Sequence, residues 1–213
     1  MITERLHNQN QSMVFIIDDD APLRVAIKSL LRSVGLQAET FGSTKEFSHA
    51  KMPEVPSCLV LDVRLPGANG LEFQEELNRV GRHLPIIFLT GYGDVPMTVR
   101  AMKAGATEFL TKPFRDQDLI DSIQHALERN REQRDRDRVI SAIKASYETL
   151  TPREQEVVLS VAQGRMNKQI AHELGISEIT VKVHRSNAIR KMGARSLAEL
   201  VRMADAVGIS KMG

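Results

Sequence analysis

Acidic, hydroxyl and amino side chains follow apolar runs at four places in the first half of this 213-residue chain. The triplet Asp18-Asp19-Asp20 follows the first run, and Asp62, Thr90 and Lys112 follow later ones. Carboxylate oxygens are ligands for a hard cation such as Mg²⁺, and a carboxylate can act as a nucleophile toward phosphorus. An ammonium group and a hydroxyl can donate hydrogen bonds to phosphoryl oxygens. These residue types are suited to phosphoryl transfer onto an aspartate.

The side chains can meet only if the runs before them are parallel strands of one sheet. Short apolar runs bounded by Asp, Gly or Pro favour buried strands at residues 14–17, 58–61, 86–89 and 108–110, and a weaker run favours one at residues 38–41. The segments between them have helical spacing, as at Leu23, Ile27 and Leu30. Alternating strands and helices predict a doubly wound α/β domain, in which ligands bind at the carboxyl ends of the strands.

Each of these residues also has a structural explanation. A single Asp after a strand usually caps the next helix, and a single Lys is usually solvated. The convergence of acidic, hydroxyl and amino groups on one rim is what favours a functional site. We therefore expect Asp19 and Asp62 to hold Mg²⁺, one carboxylate to accept a phosphoryl group, and Thr90 and Lys112 to bind its oxygens.

Composition and charge set further limits. Hydrophobic residues make up 42% of the chain and charged residues 26%, which suits about two globular domains. The single cysteine, Cys58, lies in an apolar run, so we expect core packing, no intrachain disulfide and a cytoplasmic location. No apolar stretch approaches the roughly 18 residues of a membrane helix. The polar residues 1–12 are expected to form a flexible tail.

The net charge of +2 hides an asymmetry between the two halves. Residues 13–127 carry 12 basic and 15 acidic side chains, a balance of −3. Residues 150–213 carry 10 basic and 6 acidic side chains, a balance of +4. An acidic N-terminal part and a basic C-terminal part predict different partners, and the expected partner of the basic part is a polyanion.

Helix-start and helix-stop signals are dense after Leu150. Capping boxes begin at Thr151 and Ser196, and glycines end the predicted helices. Four short helices with a tight turn at residues 175–177 predict a helix-turn-helix. On the third helix, residues 178–192, a count of about 100° per residue separates an inner from an outer face. The inner face holds Val181, Arg185, Ala188 and Met192, with His184 at its edge. The outer face, suited to a DNA major groove, holds Ile179, Val183, Ser186 and Arg190, and Lys182 and Asn187 flank it.

Residues 13–127 contain three motifs that are typical of one protein family. The motifs are Leu61-Asp62-Val63-Arg64-Leu65-Pro66-Gly67, Thr90-Gly91-Tyr92-Gly93-Asp94-Val95 and Lys112-Pro113-Phe114. They resemble the strand ends of the receiver domains of two-component systems. The resemblance implies a five-stranded parallel sheet of order 2-1-3-4-5, phosphorylation of Asp62 by a histidine kinase, and a cis Lys112–Pro113 peptide. It implies a Mg²⁺ site made by Asp18, Asp19, Asp62 and the backbone carbonyl of Arg64.

Phe109 lies three residues before Lys112. By its residue type alone it is a core aromatic in an apolar strand. The resemblance instead implies an aromatic switch, in which Thr90 moves toward the phosphoryl group and the ring of Phe109 fills the space it leaves.

The phrases Asn167-Lys168-Gln169-Ile170-Ala171 and Thr180-Val181-Lys182-Val183-His184-Arg185 resemble a LuxR-type helix-turn-helix, and residues 150–213 match it. Joined to a receiver, the all-α four-helix domain is similar to that of the FixJ/NarL family of transcriptional regulators. The resemblance implies that the third helix reads DNA. Lys168 and Thr180 would contact phosphates, and Lys182, Val183 and Ser186 would face bases, with Arg190 on the same outer face. By the angular count, Arg185 is better placed for a phosphate than for a base. The last helix would pair two domains through Leu200, Val201 and Ala204.

Residues 128–149 are expected to form a helical linker. The mixed-sign run at residues 129–138 favours a solvated helix continuing the last receiver helix, and a short coiled coil is the alternative. The chain as a whole is expected to be a DNA-binding regulator and not an enzyme. Its expected partners are a histidine kinase, promoter DNA, RNA polymerase and a second copy of the chain on phosphorylation, with no membrane.

Three other classes of protein share some of these features. An aspartyl-phosphate hydrolase carries a second acid two residues after its nucleophile, where this chain has Arg64. A sigma-factor fragment could resemble residues 150–192, but the receiver-like half argues against it. A receiver that acts only as a protein-binding adaptor would show no salt-dependent binding to DNA.

Overall fold

The computed structural model describes residues 12–91 and 95–209. The chain divides into two compact units, and the boundary falls between Arg134 and Asp135. The predicted flexible tail, residues 1–12, lies outside the described residues except for Ser12. Among the described helices, none is both long enough and apolar enough to cross a membrane.

The first unit contains a parallel sheet of five strands. In chain order they are β1 Met13–Ile17, β2 Gln37–Phe41, β3 Ser57–Asp62, β4 Ile86–Thr90 and β5 Glu108–Thr111. Their spatial order is β2-β1-β3-β4-β5, which confirms the predicted order 2-1-3-4-5. Strands β3 and β4 are buried along their whole length, because helices cover both faces of the sheet.

Two hydrophobic cores lie on opposite faces of this sheet, since successive side chains of a strand point to opposite sides. The helices are α1 Ala21–Ser33, α2 Thr44–Ser48, α3 Gly70–Arg79, α4 Val95–Lys103 and α5 Asp116–Glu148. One core joins Phe15 and Phe88 to residues of α2, α3 and α4. The other joins Ile16, Ile87 and the fully buried Cys58 to α1 and the first part of α5.

Helix α5 is a single helix of 33 residues that runs through the segment expected to be a linker. Near the beginning of that segment, Asn130 is buried, and its Oδ1 accepts a hydrogen bond of 2.9 Å from the backbone N–H of Ser57. Near its end, Ile143 and Tyr147 contribute to the core of the second unit. The segment therefore contributes packing residues to both units, which its sparse apolar spacing did not reveal.

The second unit contains the predicted four helices, α6 Pro152–Ala162, α7 Asn167–Leu174, α8 Glu178–Met192 and α9 Leu197–Ala206. Thr151 and Glu154 form the predicted capping box at the start of α6. Ser196 caps α9 by accepting a hydrogen bond from the N–H of Glu199. Two apolar clusters hold these helices together, one around Val158 and Leu200 and the other around Val157 and Val181.

Candidate functional site

Three carboxylates meet at the carboxyl end of the parallel sheet. Asp18 directly follows β1, Asp19 is the next residue, and Asp62 is the last residue of β3. Because β1 and β3 are neighbours, one ligand oxygen from each of the three residues lies within 4.8 Å of the others. Asp18 and Asp62 are buried and Asp19 is exposed. A group of hard oxygen donors open to solvent on one side matches the ligands that Mg²⁺ prefers.

Lys112 bridges two of these carboxylates. Its Nζ donates a hydrogen bond of 2.6 Å to Asp18 and one of 2.5 Å to Asp62. Burial acts to lower the pKa of Lys112, but the hydrogen bonds to the two carboxylates outweigh it and raise that pKa above its ordinary value. Burial raises the pKa of Asp18, and the hydrogen bonds from Lys112 and Asp20 offset only part of that rise. Lys112 is therefore a fixed positive charge on an acidic rim.

The backbone around Lys112 connects β5 to β4. The N–H of Lys112 donates a hydrogen bond of 2.7 Å to the carbonyl oxygen of Thr90, and Thr90 pairs in register with Thr111. The Lys112–Pro113 peptide is cis, as the sequence predicted. Thr90 itself is buried at the end of β4, so the hydroxyl residue and the lysine reach the same end of the sheet as the carboxylates.

The third acidic residue of the triplet has a structural role. Asp20 is the N-cap of α1, and its side chain accepts a hydrogen bond of 3.0 Å from the N–H of Leu23. The guanidinium of Arg24 donates to the backbone carbonyl of Asp18, a contact that residue type and spacing do not indicate. Helix capping, the usual role of a single Asp after a strand, thus explains Asp20, while Asp18 and Asp19 face Asp62.

The loop after Asp62 is held by its backbone. The N–H of Arg64 donates a hydrogen bond of 2.9 Å to Asp62 Oδ1, and Arg64–Leu65 forms a short antiparallel ribbon with Ala68–Asn69. Gly70 then begins α3, with its N–H bonded to the carbonyl of Val63 at 2.9 Å. A methyl group on Gly70 would lie 2.6 Å from the backbone carbonyl oxygen of Asp62. Glycine at this position therefore sets the path of the chain at Asp62.

Phe109 lies in β5, one strand from Thr90. Its ring is half-buried, and the ring centroid lies 6.2 Å from that of Phe88. It packs at the edge of the core shared by α3 and α4. Partial exposure and packing against Phe88 are compatible with both the core and the switch interpretations.

In the second unit, the turn between α7 and α8 sets the direction of the predicted recognition helix. Gly175 ends α7 with a left-handed φ of 64°, a conformation that glycine adopts without steric cost. Ser177 caps α8 by accepting a hydrogen bond of 3.1 Å from the N–H of Thr180. Val181, Ala188 and Met192 are the buried residues of α8, which confirms the inner face predicted by the angular count.

The outer face of α8 carries most of the predicted DNA contacts. The exposed residues are Lys182, Val183, Ser186 and Arg190, together with Lys168 on α7. Thr180 is half-buried, and its hydroxyl lies 2.8 Å from that of Ser177. Arg185 is also half-buried, and its guanidinium donates a hydrogen bond of 3.0 Å to the side chain of Asn167. Arg185 thereby links α8 to the first residue of α7.

An ion pair between an exposed lysine and a buried glutamate holds the other end of α8. Lys191 Nζ donates a hydrogen bond of 2.6 Å to Glu154 Oε2, and the side chain of Glu154 is 4% exposed. Burial acts to raise the pKa of Glu154, but the hydrogen bonds from Lys191 and Thr151 outweigh it and hold that pKa below its ordinary value. The sequence identified Glu154 as a capping residue and gave no sign of this second partner, which is 37 positions away.

One prediction about α9 is wrong in part. Leu200 and Ala204 were expected to contact a second domain, but each is 1% exposed and packs in the core against α6 and α8. Their spacing of four residues marks the buried stripe of an amphipathic helix, and the sequence alone did not separate that stripe from a dimer surface. Val201 is half-buried against the second apolar cluster.

Models of known protein families match both units of the chain. A model of the response regulator receiver domain matches residues 14–124. A model of the bacterial regulatory proteins of the luxR family matches residues 148–204. The first match contains the acidic rim, and the second contains all four helices α6 to α9 except the last residues of α9.

Similar proteins extend over almost the whole chain. Nodulation protein W of Bradyrhizobium diazoefficiens is 54% identical over 200 residues, which cover 94% of this chain and 88% of that protein. Transcriptional regulatory protein FixJ of Azorhizobium caulinodans is 43% identical over 197 residues, covering 92% and 93%. Among solved structures, the response regulator StyR is 48% identical with a TM-score of 0.80, covering 92% of this chain and 98% of that one.

Proposed function

Since the chain belongs to the FixJ/NarL family of response regulators, which are phosphorylation-dependent transcriptional regulators, we propose that Asp62 accepts its phosphoryl group from a histidine kinase. The observation that supports this choice is the meeting of Asp18, Asp19 and Asp62 beside the ammonium group of Lys112. Among the three carboxylates, Asp62 lies at the end of the central strand β3 and is 7% exposed, so it is held in place and still reached from solvent.

A divalent cation fits the same residues. The carboxylates of Asp18, Asp19 and Asp62 would hold Mg²⁺, with the backbone carbonyl of Arg64 as a further ligand. When bound, the cation would supply positive charge that offsets the repulsion between the carboxylates and an incoming phosphoryl group. In this chain the ligand oxygens are preassembled within 4.8 Å of one another, so binding of the ion needs little rearrangement of the strands that carry them.

The transfer itself makes one bond and breaks one. An oxygen of the Asp62 carboxylate forms a bond to phosphorus, and the bond from phosphorus to the kinase's histidine nitrogen breaks. The electron pair of that bond returns to the imidazole, which takes a proton from solvent. Lys112 and Thr90, both at the same end of the sheet, stabilise the charge on the phosphoryl oxygens. The chain thus takes part in one transfer and stores the group, without turning over a separate substrate.

We propose that the phosphoryl group acts on the face formed by α4 and β5. Thr90 moves toward the phosphoryl oxygens, and the half-buried ring of Phe109 turns into the vacated space. Helix α4 carries Val95, Val99 and Met102, three large apolar side chains that are exposed in the isolated chain. Burial of such side chains favours association, so a change of this face by Phe109 promotes a homodimer.

The dimer brings two recognition helices to DNA. Lys182, Val183 and Ser186 on the exposed face of α8 contact bases in the major groove, and Arg190 lies on the same face. Lys168, Thr180 and Arg185 contact backbone phosphates, with Arg185 also holding α8 to α7 through Asn167. Two such modules bind the two half-sites of a promoter, where RNA polymerase is the expected partner.

The experiment that tests this function compares binding of the full-length chain to promoter duplexes with and without acetyl phosphate and Mg²⁺. Wild type is expected to bind more tightly and with a steeper salt dependence after phosphorylation, and Asp62→Asn should show no response. Asp20→Asn is the matched control, because asparagine also caps helices and Asp20 lies on the same rim. An Asp62→Asn variant that responds like wild type would contradict the proposal.

A further inference from the structure

An isoleucine is exposed at the beginning of the recognition helix. Ile179 is the second residue of α8, two positions after its N-cap Ser177, and it is 74% exposed. A single exposed apolar residue is common on protein surfaces and needs no explanation. Here, however, Val183 lies four residues further along the same helix and is 52% exposed. Two large β-branched side chains thus stand next to each other on the outer face of α8.

Their position on the helix separates them from the core. At about 100° per residue, Ile179 and Val183 lie about 40° apart, and both point about 160° away from the buried Val181. Arg190 falls between them and Ser186 about 20° to one side, and both are also exposed. The apolar pair therefore occupies the first two turns of the stripe that the chain presents to DNA.

The surroundings of this pair indicate which partner it meets. Lys182 lies on the same helix, Arg190 follows on the same stripe, and Lys168 is exposed on α7. Cationic side chains beside an apolar pair match a polyanion that also offers apolar groups. In the major groove of DNA, the 5-methyl group of thymine is such a group, and in a helix-turn-helix the N-terminal residues of the recognition helix are the ones that reach base edges.

We propose that Ile179 is a base-reading residue that, together with Val183, packs against thymine 5-methyl groups in each half-site. The inference rests on the proposed function, since it requires that α8 binds DNA. It adds a base preference. Each half-site contains a thymine whose 5-methyl group contacts Ile179, and this thymine lies at the end of the half-site that the first turn of α8 reads. Polar residues at this position would read a different base.

The test removes one methyl group from the DNA. The full-length chain, treated with acetyl phosphate and Mg²⁺, selects duplexes from a random pool of double-stranded DNA. Each thymine of the enriched half-site is then replaced by deoxyuridine, and binding is measured by fluorescence anisotropy. For wild type we expect a loss of about fourfold at each contacted thymine, the effect of exposing one methyl-sized group. In Ile179→Ala, the loss at one of these thymines should disappear while the others remain.

A matched control separates this effect from a general loss of apolar surface. Val139→Ala changes an equally β-branched, exposed residue on α5, and it should keep every deoxyuridine effect of wild type. The inference is overturned if Ile179→Ala keeps the same deoxyuridine effects, or if wild type is indifferent to all of them. It is also overturned if wild type enriches no sequence, and that result alone would overturn the proposed DNA binding as well.

Discussion

Replacement of Lys112 by methionine removes the ammonium group from the acidic rim and keeps a side chain of similar length. In the folded chain, its Nζ lies 2.6 Å from Asp18 and 2.5 Å from Asp62. The side chain of Asp18 is 1% exposed, so water does little to replace the lost partner. The variant therefore leaves three neighbouring carboxylates without a cation when no metal is bound.

The expected cost follows from these distances. Two unit charges 4.8 Å apart, the separation within which the ligand oxygens lie, repel by about 3.5 kcal/mol at an effective dielectric constant of about 20. Removing one partner of a buried ion pair costs about 3–5 kcal/mol. The side chain of Lys112 is 21% exposed, which favours the lower end. We expect the free energy of unfolding of the first unit to fall by about 3 kcal/mol at neutral pH.

Urea denaturation followed by far-UV circular dichroism measures this loss. With a slope of about 2 kcal/mol per molar urea, the midpoint of the first unit should fall by about 1.5 M in the presence of EDTA. Addition of Mg²⁺ should recover part of the loss, because the cation neutralises the same oxygens. Lys103→Met, a change at an exposed lysine of α4, is the matched control and should leave the midpoint unchanged.

Two results would refute the reasoning. Equal midpoints for Lys112→Met, Lys103→Met and wild type in EDTA would show that Lys112 does not neutralise the carboxylates. A lower midpoint for Lys112→Met that is unaffected by Mg²⁺ would show that the cation does not bind to the same oxygens.

The remaining predictions concern the path of the chain at Asp62 and the second unit. Gly70→Ala should lower the free energy of unfolding by about 1–3 kcal/mol and slow phosphorylation by acetyl phosphate, because its methyl group would lie 2.6 Å from a backbone oxygen. Gly42→Ala, whose methyl group would have ordinary contacts, is the control, and equal effects of the two would contradict the explanation. The Glu154 carboxyl has a lowered pKa, so its contribution to stability is present above its ordinary value of 4.5 and is lost as the pH falls below it. Glu154→Gln should therefore speed hydrogen exchange in α6 and α8 at neutral pH, with a difference from wild type that narrows toward pH 3; a constant difference would contradict this.

Local patterns were sufficient for much of the fold. The apolar runs predicted all five strands of the sheet. The inner strands β1, β3 and β4 are apolar because helices cover both of their faces, whereas the edge strands β2 and β5 are largely exposed and gave shorter or weaker apolar runs. The capping-box patterns at Thr151 and Ser196 predicted the beginnings of α6 and α9, since a cap involves residues only three positions apart. The full box forms at Thr151, whereas at Ser196 only the cap hydrogen bond forms and the Glu199 carboxylate accepts from the N–H of Arg195. The rim residues were also predictable, because the ends of parallel strands meet at one edge.

Contacts between distant residues were not predictable from these patterns. The requirement for glycine at position 70 comes from a backbone oxygen of Asp62, and nothing in the neighbouring residues indicates that approach. The pairing of Asn130 with Ser57 joins positions 73 residues apart. The error at Leu200 has the same origin, since periodicity marks an apolar face but does not tell what covers it.

The sequence by itself determined which side chains could perform phosphoryl transfer and which helix could read DNA, because residue type and short-range spacing set both. Only the tertiary structure decided which partner each residue of the acidic triplet contacts. It assigns Asp20 to the cap of α1 and places Asp18 and Asp19 against Asp62, with Lys112 bonded to two of the three carboxylates that meet. The physical reason is distance: hydrogen bonds and charge interactions depend on separations of a few ångströms, and those between β1, β3 and β5 exist only once the sheet has formed.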